Sequence, residues 1–358
     1  MPIISLERSP PSTASPSRRR RRREDAHATI VAVAAHAGVS TATVSRALNA
    51  PARVSPTLRA RVVAAAAALA YVPDPAARTL ASHRSGLVGI VTGDLREGWI
   101  AECLGALQPR LAVAGYATVL AVTNARGAGA REAVAAMAAR GVEAVVLIDC
   151  ADGAPTVPAS SGSALPIVRV SAVPNAPTAA DVALDAAIAG ATIAGYLLDL
   201  GHTTFGWVAA EGDTAWWRAR LRDGLSTALL AGGRRPPAEF VVTPGRDPFA
   251  VHAVLATGEA LPSALVCADD LLALAVVRAL AGHGILVPGQ VSVVGCGDQP
   301  WARQTQPSLT SLRMPAGQLG EAAADHVLAR LRGEVHDPRA LVAKLVVRGS
   351  TGPAVARD

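Results

Sequence analysis

The chain has 358 residues, a length that predicts at least two structural domains. Hydrophobic residues make up 51% of it and charged residues 17%, which excludes a wholly disordered protein. The mean hydropathy is +0.32, but three aspartates interrupt the longest apolar stretch, 179–200, which argues against a membrane span. Residues 1–27 are rich in Ser, Pro and Arg where a signal peptide would be apolar. We therefore expect a soluble, cytoplasmic protein with no membrane partner.

Residue types that several kinds of chemistry require are scarce in this sequence. The four cysteines are scattered without metal-ligand spacing, and Lys344 is the only lysine. Because Lys344 follows no glycine-rich loop, it is not a Walker A lysine, and neither a G-x-S-x-G nor an H-E-x-x-H motif occurs. We expect no catalytic residues, no metal and no cofactor. The net charge of +6 is compatible with a polyanionic partner.

The first segment, 1–27, contains six consecutive arginines, Arg18–Arg23. Adjacent like charges repel one another, so this segment is predicted to be a disordered basic tail. It is either a solvated extension or an arm that adds contacts to phosphates.

Residues 28–73 have the pattern of three short helices. Ala34 is small enough for a close helix crossing, Gly38 can take the positive φ of a tight turn, and Val44 fills the crossing six positions later. Ser40 is placed to cap the second helix, and Ser55 the third. This spacing favours a helix-turn-helix unit over an ordinary helical hairpin. Its outward positions, short and polar enough for a DNA major groove, are Thr41, Ala42, Thr43, Ser45 and Arg46.

A linker with a short helical signal at 75–81 occupies 74–85, and strands then alternate with helices from 86 to 358. The predicted strands are 87–91, 118–122, 144–148, 167–170, 205–209, 240–243, 264–267 and 291–294. The predicted helices are 100–114, 131–140, 186–200, 218–230, 249–256, 271–283 and 317–331. This alternation predicts parallel sheets covered by helices, in two α/β lobes with a ligand cleft between them.

The sequence resembles the LacI/GalR family of bacterial transcription regulators over nearly all of the chain after the tail. The run V-S-T-A-T-V-S-R-A-L-N at 39–49, with R-V-S-P at 53–56 and Y-V-P at 71–73, is similar to the family's DNA-binding domain. The similarity continues at 199–202, 268–274, 287–295, 307–313 and 347–351. The resemblance implies a homodimer that binds a double-stranded, pseudopalindromic operator. It also implies a two-lobed, periplasmic-binding-protein-like domain for a small effector, such as a sugar or related metabolite.

The same resemblance implies roles for residues of the DNA-binding region. Thr41 and Ala42 would read bases, and Arg46 would reach a base edge or the backbone. Contacts to phosphates would come from Ser40, Thr43, Ser45 and Asn49. For Ser45 and Asn49, capping and turn chemistry is the alternative. Residues 75–81 correspond to a hinge helix in which Leu80 wedges into the minor groove, the alternative being a packing contact in a linker.

For the effector cleft the resemblance implies Asp94, Trp99, Asp185, Asp269 and Asp298. The arginine that the family places on this helix falls on Leu221, so Arg220 is the predicted substitute among Arg218, Arg220 and Arg222. Two further positions depart from the family pattern: Glu97-Gly98 replaces Asn-Pro, and Gly297 replaces an acid that commonly binds sugar hydroxyls. An ordinary hexose pocket is therefore not expected, and each of these residues has a purely structural alternative.

Three functions remain open from the sequence alone. The first is a DNA-binding regulator, in most cases a repressor, controlled by a small molecule. The second is a solute-binding receptor, which the basic N-terminus and the helix-turn-helix disfavour. The third is an α/β enzyme with an added helical domain, which the missing nucleophile and cofactor motifs disfavour.

Overall fold

The computed structural model describes residues 29–49, 53–72, 84–93, 95, 97–123, 129–150, 164–171, 181–212, 215–242 and 261–355. The predicted tail, the hinge segment 75–81 with Leu80, Asp94, and the predicted helix 249–256 lie outside the described residues, as does the side chain of Asn49. The chain forms two compact units, Met1–His83 and Arg84–Asp358.

The first unit contains three described helices, α1 Ile30–Ala37, α2 Thr41–Asn49 and α3 Pro56–Ala68. Helix α1 ends at Gly38, whose φ of 62° and ψ of 41° lie in the left-handed region that glycine tolerates. The helices enclose a small core in which every fully buried side chain is apolar. That core consists of Val33, Ala34, Ala37, Val44, Ala47, Val62, Ala65 and Ala66. The predicted trihelical arrangement, with Ala34 and Val44 at the crossing, is confirmed.

The second unit alternates strands and helices along the chain. Its first half contains β1 Leu87–Thr92, α4 Gly98–Val113, β2 Ala117–Val122, α5 Ala130–Ala139, β3 Ala144–Ile148, β4 Ile167–Ser171 and β5 Val182–Leu184. Its second half contains α6 Ala186–Asp199, β6 Phe205–Ala210, α7 Trp216–Ala231, β7 Ala238–Val242, β8 Ala264–Cys267, α8 Asp270–Gly282, β9 Ser292–Cys296 and β10 Thr310–Arg313. The chain then adds α9 Ala316–Leu331, β11 Arg339–Leu341 and β12 Lys344–Val346.

These strands form two sheets with matching topology. The first has the order β11-β5-β4-β3-β1-β2 and the second the order β12-β10-β9-β8-β6-β7, so each lobe repeats one strand arrangement. All pairings are parallel except that of β10 with β12. The chain passes between the sheets after β5, after β10 and after β11, since α6 packs in the second lobe and α9 in the first. The predicted two-lobed α/β fold is confirmed.

Carboxyl ends of the parallel strands place the loops that follow them at one edge of each sheet. In the second lobe these loops begin at Glu211, Ala268 and Gly297. Glu97, Gly98 and the N-terminus of α4 follow β1 in the first lobe. Polar residues in the loops of both lobes can therefore lie at the same cleft.

Candidate functional site

Helix α2 is buried on one face and exposed on the other, and the exposed face carries mainly short polar side chains. Val44 and Ala47 are packed in the core of the helical unit, while Thr41, Ala42 and Arg46 are exposed. Arg46 Nε donates to the carbonyl of Ala42 at 3.3 Å, which holds the first part of its side chain along the helix. The predicted base-reading positions thus share the outer face of α2.

Ser40 and Thr43 form the N-terminal cap of this helix. Ser40 Oγ accepts from Thr43 N at 3.2 Å and lies 2.9 Å from Thr43 Oγ1. This pairing fixes the start of α2, as the sequence predicts for Ser40. Thr43 and Ser45 are half-buried beside the exposed residues.

Every charged residue of the described helical unit is basic. Residues 29–72 contain four arginines, Arg46, Arg53, Arg59 and Arg61, and no aspartate or glutamate. All four arginines are exposed. A surface with this charge attracts polyanions, and helices with short polar side chains fit a major groove.

In the second unit, Asp269 and Asp270 follow β8 at the carboxyl edge of the second sheet. Asp269 Oδ1 accepts from Leu272 N at 2.7 Å and so caps α8. Asp270 is buried, and its carboxylate accepts from Ser311 Oγ and, at 2.7 Å, from Gln299 N. Burial raises the pKa of Asp270 to about 6, although both hydrogen bonds act in the opposite direction.

Asp298 follows β9 and is held between two arginines. Its φ is 46°, and its side chain is only 2% exposed. Arg313 Nε donates to Oδ2 at 2.6 Å and Arg348 Nη2 donates to Oδ1 at 2.5 Å. Both oxygens are engaged, so the geometry favours a role in holding these arginines over direct contact with a ligand.

Arg218, on α7, is the arginine that lies at the cleft. Its Nη2 contacts Glu97 Oε1 at 2.5 Å, and its Nε donates to the carbonyl of Ala268 at 3.0 Å. The predicted substitute Arg220 is exposed. Residues two positions apart on a helix point about 200° apart, so Arg220 faces away from the side that Arg218 presents. The geometry therefore favours Arg218 over the predicted Arg220 as the arginine at the cleft, and the effector contact itself stays a prediction.

Two tryptophans accompany this ion pair. Trp99 is 8% exposed and Trp217 2% exposed, and both belong to the same buried cluster. Neither indole Nε1 has a hydrogen-bond partner within the described part of the chain. The Arg218 guanidinium stacks over the Trp217 ring, 4.9 Å from its centroid.

Other contacts complete the cleft region. A Cβ atom at Gly98 would collide with the side-chain amide of Gln299, so the two lobes meet there at close range. Asp185 is half-buried at the first crossover, where its Oδ1 accepts from Ile188 N at 3.0 Å and caps α6. No described contact joins Asp185 to the Arg218 group. A cavity of about 470 Å³ in the second lobe lies between α7, β6 and β7 and reaches Arg218.

Among the described residues, no group of three or more His, Cys, Asp and Glu side chains is placed to hold a metal ion. No described helix is long and apolar enough to cross a membrane. Burial raises the pKa of the Cys103 thiol to about 12 and also raises that of Cys267 and Cys296, which disfavours reactive thiolates.

Comparison with known proteins identifies the family. A family model for bacterial regulatory proteins of the lacI family matches residues 29–74, and one for a periplasmic binding protein-like domain matches 194–351. The HTH-type transcriptional regulator reg1 of Streptomyces lividans is 31% identical over 339 residues, which covers 90% of this chain and 96% of reg1. The chain belongs to the LacI family. Another LacI-family relative, the regulator CelR of Thermobifida fusca, is 32% identical over 336 residues, covering 90% of this chain and 98% of CelR.

Solved structures give the same assignment. A lac repressor dimer bound to operator and the anti-inducer ONPF superposes with a TM-score of 0.78 at 25% identity, covering 91% of this chain and 99% of that one. A CelR–cellobiose complex superposes with a TM-score of 0.61 at 26% identity, covering 90% and 100%. The relatives are DNA-binding transcriptional regulators, and this LacI-family chain is a regulator of that kind and not an enzyme.

Sequence reasoning missed Glu97, Arg218 and Gln299 at the lobe-to-lobe contact, and it missed Arg348 as a partner of Asp298. Arg218 was among three candidate arginines, but only the packing of α7 distinguishes them. A faint signal existed for Glu97, because an acid there replaces a neutral residue of the family pattern. Arg348 lies in the family-like segment 347–351, but that similarity did not indicate its pairing with Asp298, and no comparable signal existed for Gln299.

Proposed function

We propose that this LacI-family regulator is a cytoplasmic repressor that binds a pseudopalindromic operator as a homodimer and is controlled by a small molecule in the interlobe cleft. The observation that carries the proposal is the exposed face of α2, whose short polar side chains lie in a basic unit that has no acidic residue between 29 and 72. Such a surface can approach phosphates and base edges together.

Within the operator complex, Thr41 and Ala42 contact bases at the start of α2. Ala42 offers only a methyl group, so it suits the methyl of a thymine and gives no hydrogen-bonded readout. Arg46 reaches a base edge or the backbone, and Ser40, Thr43, Ser45 and Asn49 contact phosphates. Leu80 wedges into the minor groove at the centre of the site.

In this proposal the first lobe forms the interface of the homodimer. Strand β2 is the edge strand of its sheet, and Leu120 and Val122 on it are 42% and 51% exposed. An edge strand with exposed apolar side chains is normally covered in a native assembly. A second copy of the chain is the proposed cover, because the related lac repressor is solved as a dimer on its operator.

Effector binding is assigned to Trp99, Asp269 and Arg218, with Asp94 as a further predicted contact. Asp185 and Asp298 contribute indirectly in this proposal, because Asp185 caps α6 and Asp298 holds Arg313 and Arg348. The related CelR has been solved with cellobiose, which supports a sugar or sugar-like class of effector. Allosteric coupling in proteins is typically about 1–3 kcal/mol and is reciprocal, so operator DNA must change effector affinity by the same factor.

The operator proposal is tested by fluorescence anisotropy with a pseudopalindromic site from the neighbouring genes and a scrambled duplex. Arg46→Ala is expected to reduce discrimination between the two by about 1–3 kcal/mol. Arg61→Ala, which removes an exposed arginine from α3, is the matched control. It should weaken binding to both duplexes about equally, since a phosphate contact is insensitive to sequence. Wild-type protein that binds both duplexes equally would refute the proposal.

The hinge role of Leu80 has a separate test. Leu80→Ala should weaken operator binding strongly while salt-sensitive binding to the scrambled duplex stays nearly unchanged, because the wedge acts only in the bent specific complex. Equal losses on the two duplexes would remove the wedge role and leave the α2 assignment standing.

A thermal-shift screen of sugars, polyols and nucleosides tests which class of effector binds the cleft. A ligand at a hundredfold excess over its Kd raises stability by about 2.7 kcal/mol.

A further inference from the structure

The Glu97–Arg218 ion pair joins the two lobes across the cleft. Glu97 lies just before α4 in the first lobe, and Arg218 lies on α7 in the second. Their closest atoms are 2.5 Å apart, and their side chains are 23% and 11% exposed. The pair is therefore largely shielded from water, where charge interactions are stronger than at the surface.

Arg218 is held in place by groups other than Glu97. Its Nε donates to the Ala268 carbonyl, and its guanidinium stacks on Trp217. Because the guanidinium is planar and always protonated, a group fixed in this way is suited to bind a carboxylate or phosphate. The protein itself supplies the anion in the form of Glu97.

The Glu97 side chain pairs with Arg218 and does not cap the helix that it precedes. It occupies the N-cap position of α4, yet its side chain makes no capping hydrogen bond. Carboxylates at helix N-termini usually accept from the first backbone N–H groups or benefit from the helix dipole. The carboxylate is directed across the cleft, so the interlobe contact replaces a cap.

The nearby buried donors indicate what the cleft can accept. The indole N–H groups of Trp99 and Trp217 are both more than nine-tenths buried and have no partner within the described residues. Trp99 lies two residues after Glu97 and Trp217 lies directly before Arg218, and an indole N–H can only donate. A ligand beside them would supply acceptor oxygens, such as hydroxyl, ether or carbonyl groups.

We propose that Glu97 is a specificity-determining residue: it acts as an internal counter-ion that occupies Arg218 and restricts the cleft to uncharged, oxygen-rich ligands. The inference rests on the proposed effector role of the cleft. An anionic ligand has to displace the Glu97 carboxylate from its shielded ion pair with Arg218, which is costly. A neutral polyhydroxylated ligand keeps the ion pair and satisfies the indole donors.

The test uses full-length protein and inorganic phosphate as the probe, with chloride at equal ionic strength as the reference. Isothermal titration and thermal shift are measured for wild type, Glu97→Gln, Arg218→Gln, Glu97→Gln/Arg218→Gln and Asp325→Asn. Asp325 is the matched control because it is paired with Arg110 outside the cleft, at 2.8 Å. Far-UV circular dichroism in chloride checks that each variant is folded.

Glu97→Gln is expected to bind phosphate at least tenfold more tightly than wild type and to gain a phosphate-dependent rise in Tm. The double variant should lose that gain, and Asp325→Asn should behave as wild type. A phosphate response in Glu97→Gln equal to that of wild type, or one that persists without Arg218, would overturn the proposal.

The phosphate test does not depend on the folding of one variant or on operator binding. If Glu97→Gln fails to fold, the wild type still decides: tight phosphate binding by wild type that Arg218→Gln abolishes would contradict an occupied arginine. Operator discrimination is read in the DNA experiments above and does not enter the phosphate titration. Failure of the repressor proposal and failure of the counter-ion proposal are thus separate results.

Discussion

In the helical unit, the side-chain hydrogen bonds between described residues join positions no more than four apart. In the α/β unit, the ion pairs around the cleft join positions from 15 apart, for Asp298 and Arg313, to 121 apart, for Glu97 and Arg218. The first unit has a wholly apolar buried core, whereas the second buries carboxylates among arginines and hydroxyls. Local caps and turns thus shape the DNA-facing unit, and long-range charge pairs shape the cleft.

This difference implies that the two units respond differently to the loss of one group. A local cap affects one helix end, and its removal leaves the other contacts in place. A buried charge has several partners, so its removal leaves other charges uncompensated. Substitutions in the cleft network should therefore have the larger effect on stability.

The largest effect is expected for Asp298→Ala. The substitution leaves the exposed Arg313 and the largely buried Arg348 without their shared carboxylate. Breaking a buried pair such as that of Asp298 and Arg348 costs about 3–5 kcal/mol. The free energy of unfolding of the α/β unit should fall by that order, as measured by chemical denaturation followed by tryptophan fluorescence. Asp325→Ala, which breaks an exposed pair, should cost about 0–1 kcal/mol. Equal losses in the two variants would remove the distinction between the buried and exposed pairs.

A pH-dependent effect is expected for Asp270→Asn. The folded pKa of Asp270 is about 6, above the usual 3.8, because the group is buried near Asp298 and Asp269. The folded state therefore holds this proton more tightly, so the wild type loses stability as the pH rises from about 4 to 6. The rise of this pKa from 3.8 to about 6 corresponds to a change of about 3 kcal/mol in the free energy of unfolding.

Asp270→Asn removes this titration and retains an oxygen for Gln299 N and an amide for Ser311 Oγ. The difference in unfolding free energy, wild type minus variant, should decrease between pH 4 and pH 6 and level off above about pH 7. Denaturant melts over that pH range measure it. A difference that stays constant with pH would show that Asp270 does not titrate in this window.

A smaller, confined effect is expected in the helical unit for Val44→Ala. Val44 is fully buried among α1, α2 and α3, and deleting two methyl groups from such a site costs about 2 kcal/mol. Hydrogen exchange of amides 29–72 in the full chain should accelerate accordingly, while amides of the α/β unit stay unchanged. Val63→Ala, at a half-exposed position of α3, should have little effect. Accelerated exchange in both units would contradict their independence.

The same contrast explains how much of the molecule was predictable from sequence. Gly38, Ser40 and Val44 act through neighbours within a few positions, so their spacing alone predicted the turn, the cap and the crossing. The longer strands were also predicted, because most of their residues are apolar and β-branched. Strands β5, β10, β11 and β12 were missed, since each has only three or four residues and depends on pairing with a distant strand.

The cleft was predicted in outline and missed in its detail. Sequence similarity placed an arginine on α7 but did not distinguish Arg218 from Arg220, because the choice depends on which side of the helix faces Glu97. Asp298 was predicted as a ligand contact, yet its partners Arg313 and Arg348 approach from strand β10 and from the segment after β12. Such pairings form only when distant segments meet, and no local pattern records them.

The smallest effect, and the sharpest test of locality, is expected for Ser55→Ala. Ser55 Oγ accepts from Leu58 N at 3.4 Å and caps α3, and the loss of such a cap costs about 1 kcal/mol. Hydrogen exchange should accelerate mainly in the first turn of α3. Ser55→Asp is the matched variant, because it restores an acceptor at the cap and should recover most of the protection. If Ser55→Ala instead loosened α1 and α2 as much as α3, the helical unit would be one cooperative element, and the local hydrogen bonds would not set its stability helix by helix.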